Sequence, residues 1–173
     1  MPIWQFIVVV IHVFSAIMWI GGAIFLALVM VPVARGMEPP AMGMLFLRRA
    51  AIRFRGIAWV LLAALVVSGA AALDGRGIGF DRFTEDGFWS TEIGTALLIK
   101  FVLVGVLLVI SGFHDFVLGP RLTELIQQVP RGEQPPPSTV AARKRLIVLA
   151  RFNLLVAISA AVVGMMLVRG VPG

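Results

Sequence analysis

The stretch QFIVVVIHVFSAIMWIGGAIF, Gln5–Phe25, decides the fold. About 20 helical residues cross a bilayer core of roughly 30 Å, and this run is long and apolar enough to do so. His12, one of only two histidines in the chain, stands in its middle. An imidazole inside an apolar helix costs free energy unless a partner replaces the water contacts it loses. The run lacks the basic start and small-residue cleavage site of a signal peptide and is too long for one, so it reads as a retained helix.

Composition widens this reading to the whole chain. Its 173 residues are 60% hydrophobic and 14% charged, with a mean hydropathy of +0.99. A soluble domain is nearer half apolar and a quarter charged, so the departure points to a membrane protein. The length suits one compact domain over residues 1–173. No cysteine is present, which excludes disulfides, CxxC redox chemistry and thiolate metal sites. The net charge of +6 does not signal nucleic acid, because the basic residues lie between apolar segments, where they orient the chain in a bilayer.

Four spans follow, over about 3–33, 52–73, 93–118 and 146–168. The segments between them alternate in charge. Residues 34–55 hold five arginines (35, 48, 49, 53, 55) and one acid, Glu38. Residues 74–92 hold two arginines and five acids, and residues 115–151 hold six basic residues and three acids. Basic loops stay in the cytoplasm. The expected architecture is an all-α membrane protein: four transmembrane helices in an up-down bundle, both termini outside. QVPRGEQPPPS in the third loop reads as a proline-rich linker. RLTELIQQ before it is either a short interfacial helix or an extension of span three, with Gly119-Pro120 expected to break the chain. Phe83, Phe88 and Trp89 in the acidic loop suit a membrane interface or a solvated cap.

Counting at 1.5 Å per residue puts His12 at roughly 13 Å and Lys100 at roughly 10 Å from the outer ends of their spans. Ser68 lies near the outer end of span two, so the three fall in one layer. His114 lies some 30 Å along span three, near the cytoplasmic surface with Asp115, Asn153, Arg151, Arg53 and Arg55. At 100° per residue, His12 shares a stripe with Gln5, Ser15, Ala16, Trp19 and Gly22, the face expected to point inward. Lys100, Leu103, Leu107, Ser111 and His114 form another stripe. Asn153, Ala157, Ala160 and Gly164 form a small-residue face for close helix approach.

Each residue has a simpler reading. His12 would hydrogen-bond a carbonyl or serine, His114-Asp115 would be an interfacial pair, and Lys100 would reach the headgroups along its own stem. Met165, Met166, Met42 and Met44 would pack or face lipid. Against these stand haem iron and a transition metal, both of which suit an imidazole in a dry bundle. A single haem joining His12 to His114 is not expected, given their offset of nearly 20 Å along the axis. A copper site would draw on His12 with Met18 one to two turns deeper. Lys100 is the candidate catalytic base, and Trp19, Ser68 and Asn153 are candidate cofactor contacts beside the two histidines.

Three quoted stretches carry a family resemblance. IHVFSAIMWIGGAIFLALVMVP resembles the first helix of bacterial membrane proteins related to the copper-resistance domain CopD, with a His, a Trp and a Gly pair at this spacing. ALLIKFVLVGVLLVISGFHDFVLGPRL is similar to the helix in that group with a Lys near its start and PRL at its end, and ARFNLLVAISAAVVGMMLV to its last helix. The His, Lys and downstream His also resemble HemJ-type protoporphyrinogen oxidase, which implies haem ligation by His12 and a functional role for Lys100. Where HemJ-type chains carry Asn-Glu-x-Pro, this chain reads Asn153-Leu154-Leu155-Val156.

The function expected from these readings is haem b binding with a redox or electron-transfer role in the bacterial inner membrane. A HemJ-type oxidase and a CopD-like copper-handling protein are the alternatives, and whether the chain is an enzyme is left open. The expected partners are the lipid bilayer and a membrane redox protein or larger complex.

Overall fold

The computed structural model describes residues 2–129, 133 and 136–169. The chain runs as α1 (Ile3–Phe25), a π-helical turn (Leu26–Met30), α2 (Val31–Arg35) and α3 (Pro40–Asp74). Two short 3-10 turns follow at Phe80–Thr84 and Phe88–Ser90. Then come α4 (Glu92–Phe113), a second π-helical turn (His114–Leu118), α5 (Gly119–Gln127) and α6 (Pro137–Arg169). No strand occurs among the described residues. Among the described residues four continuous helical stretches are long and apolar enough to cross a membrane: Ile3–Arg35, Met42–Asp74, Glu92–Gln127 and Pro137–Val168. The chain is an all-α, multi-pass membrane protein, with the lipid bilayer as its surroundings.

Two details differ from the sequence expectation. The helices are longer than the spans read from hydropathy, at 32 to 36 residues. That is about 50 Å at 1.5 Å per residue, against a core of roughly 30 Å. Arg48, Arg49, Arg53 and Arg55 therefore ride on α3 and not on a loop. Pro39 is the extended N-cap and Pro40 opens the helix, where a missing N–H is harmless. Arginine is a good helix former, and nothing interrupts the run before Gly75.

Gly119-Pro120 also fails to break the helix. The Gly119 N–H bonds the His114 carbonyl five residues back, as the Val31 N–H bonds that of Leu26. In a regular helix a proline ring clashes with the carbonyl four residues earlier, and a wider turn ahead of it gives the ring room. The segment after Pro120 is thus an extension of the third span. Of the proline-rich linker, residues 130–132, 134 and 135 lie outside the described residues, and α6 starts at Pro137.

The chain divides into two compact units, Met1–Thr91 and Glu92–Gly173. Each is built on an antiparallel helical hairpin. In the first unit Gln5 meets Gly75, His12 meets Ser68 and Gly69, Gly22 meets Phe54, and Gly43 meets Ala34. Positions climb on one helix as they fall on the other. Gly43 is required by this approach, since a Cβ there would run into the Ala34 carbonyl oxygen. Trp19, Ala58 and Leu62 are buried in this unit with Ser15 and Ser68. Its acidic segment is pinned by rings: Phe83 lies 5.8 Å from Phe88 and 5.5 Å from Trp89, whose indole donates to the Phe83 carbonyl at 3.0 Å.

In the second unit Lys100 meets Gly164 and Ser111 meets Asn153, again antiparallel. Leu97, Leu107, Val156, Ala157 and Ala160 form its buried face. Outward-facing side chains in both units are apolar and well exposed, as at Val67 and Val109. A surface this apolar needs hydrocarbon around it.

Candidate functional site

His12 is fixed by α3. Its Nδ1 lies 3.0 Å from Ser68 Oγ. Ser68 spends its one hydroxyl proton on the Ala64 carbonyl, four residues back on its own helix. The hydroxyl oxygen is left to accept, so the bond assigns the proton to His12 Nδ1 and the lone pair to Nε2. Gly69 makes the space: a Cβ there would come within 3.2 Å of His12 Cε1. The ring is thus held in one tautomer and one place, as a metal-binding histidine is by an acceptor behind it.

The remaining stripe of α1 turns inward as its periodicity implies. Ser15 and Trp19 are buried, and the Gln5 amide donates to the Gly75 carbonyl. Trp19 Nε1 is a buried donor with no acceptor among the described residues. Met18 is different. It is 54% exposed and sits about 120° round α1 from His12, so it does not join the imidazole on one face.

The second unit carries the other candidates. His114 opens the π-helical turn, and its Nδ1 lies 2.7 Å from Asp115 Oδ1. Both side chains are partly exposed. Asn153 donates to Ser111, with both side chains buried, and its Oδ1 finds no donor among the described residues. Lys100 is half-buried and packs on α6, where a Cβ at Gly164 would lie 3.3 Å from its Nζ. His12 and Ser68 are thus brought together in the first unit. In the second hairpin Lys100 faces Gly164, while Asn153 reaches Ser111, one helical turn before His114.

Sequence reasoning missed Gly69 and Gly75, which α1 side chains need for their approach. The only signal at Gly69 is its place next to Ser68. Among the described residues no group of three or more His, Cys, Asp or Glu side chains is placed to hold a metal. Among the described residues neither imidazole belongs to such a group.

The family model described as copper resistance protein D (CopD) matches residues 48–168. This chain belongs to the CopD family. The match takes in Ser68, Lys100, His114 and Asn153, and it begins after α1, which bears His12. Searches of the curated proteins and of the solved structures returned no match.

Proposed function

We propose that this CopD-family chain handles copper in the membrane, with His12 and His114 as its copper contacts. One observation carries the reading: Nδ1 of both histidines is engaged by an acceptor, Ser68 Oγ in one hairpin and Asp115 Oδ1 in the other. In that tautomer each ring carries its lone pair on Nε2, and imidazole nitrogen suits copper. The carboxylate behind His114 also raises its basicity as a ligand.

Copper is cargo here and not a resident cofactor. A closed three- or four-ligand set binds tightly and releases slowly. Isolated imidazoles bind weakly enough to let an ion leave, as passage through a membrane requires. On the loop-charge topology, His12 lies in the outer half of its span and His114 at the cytoplasmic end of its own. Family membership supports copper over haem, since His12 alone serves either.

The test is copper(I) accumulation by cells producing the wild-type chain, His12→Ala or His114→Ala at matched membrane levels. Each substitution should lower accumulation several-fold. Accumulation unchanged in both variants would sink the reading.

A further inference from the structure

The two hairpins keep the same spacing of unlike features. The π-helical turns begin at Leu26 and His114, which are 14 residues after His12 and 14 after Lys100. The prolines that follow, Pro32 and Pro120, stand 20 residues after His12 and 20 after Lys100. Both return helices, α3 and α6, open on the last proline of a proline run, Pro40 after Pro39 and Pro137 after Pro136. Both carry a glycine against the basic side chain of the outgoing helix. A Cβ at Gly69 would lie 3.2 Å from His12 Cε1, and one at Gly164 would lie 3.3 Å from Lys100 Nζ. Those glycines stand 29 and 27 residues beyond the prolines that open α3 and α6. The connection before the return helix is nine residues longer in the second hairpin, counted from Pro32 to Pro40 and from Pro120 to Pro137. A π-helical turn is rare, so two at one spacing from a basic side chain facing a glycine are not expected by chance.

We infer that the chain is a tandem duplication of one helical hairpin, and that Lys100 holds the ligand position which His12 fills in the first copy. The side chain at that position then sets what each copy binds. A histidine offers a lone pair to a metal ion. A protonated lysine has three donors and no acceptor, so it repels a cation and holds acceptor groups instead. Lys100 is thus a specificity-determining residue that confines copper contact at this position of the repeat to the first hairpin. The inference rests on the proposed copper contact at His12.

The test titrates copper(I) into the purified full chain in lipid nanodiscs and measures bound copper per chain at saturation. The variants are wild type, Lys100→His, and Lys100→His with His12→Ala. Lys100→His should bind one copper more than wild type, and the double variant should return to the wild-type value. A wild-type chain that takes no copper overturns the proposed function. A wild-type chain that takes copper, with no gain in a fully helical Lys100→His, overturns this inference alone. Where the imidazole at position 100 prevents folding, Lys100→Cys puts a smaller copper(I) ligand there, and the same gain or its absence decides.

Discussion

Asn153 on α6 donates a 2.8 Å hydrogen bond to Ser111 on α4, and both side chains are buried. Ser111→Ala would leave the whole Asn153 amide unpaired, since its Oδ1 already has no donor among the described residues. The expected loss is about 1–2 kcal/mol, because a buried polar group keeps its desolvation penalty when its partner goes. Adding Asn153→Leu should recover part of it. Thermal unfolding in detergent reads both steps, and a Ser111→Ala midpoint equal to wild type would count against the bond.

Gly69 and Gly43 should respond differently to a methyl group. Gly69→Ala brings a Cβ within 3.2 Å of the His12 ring and should loosen its bond to Ser68. Copper affinity is then expected to drop with little loss of stability. Gly43→Ala drives a Cβ into backbone, at the Ala34 carbonyl, which cannot swing aside. There the cost should be about 1–3 kcal/mol with copper affinity kept. Reversed responses would mean that His12 is not the contact.

A visible spectrum separates the two metals that His12 suits. With copper as cargo, the chain purified from haem-fed cells should show the same spectrum with and without His12→Ala. A Soret band that His12→Ala removes would restore haem as the ligand.

Topology rests on loop charge, with five acids in residues 74–92 against five arginines in residues 34–55. A periplasm-active reporter fused after Gly173 should be active, and a cytoplasm-active one should not. The opposite result inverts the placement of both histidines relative to the membrane.

What the sequence made legible followed from periodicity and length. The inward face of α1 was readable because His12, Ser15 and Trp19 recur at helical spacing in an apolar run. Ser68 was placed at the depth of His12 by counting alone, and the two are in contact. Helix ends were harder, since Arg48 to Arg55 look like loop by charge yet are good helix formers. Gly119-Pro120 looked like a break because a proline rule assumes regular turns, and no residue type announces a π-helical one. The choice of ligand was not legible. One oriented imidazole serves iron and copper alike, and the copper reading is a proposal that the family match supports.

Each π-helical turn holds one residue more than the α-helical turn it replaces, since its bond reaches five residues back and not four. It acts as a phase shift of roughly 100° between the helix before it and the helix after it. Deleting one residue within His114–Leu118 would remove that shift. The faces carrying Lys100 and Ser111 would keep their aim, while Arg121, Glu124 and the rest of α5 would turn to a new side. The two ends of this long rod can therefore change orientation independently through the gain or loss of a single residue, so the membrane-facing pattern need not be rewritten when the α5 end acquires a new neighbour.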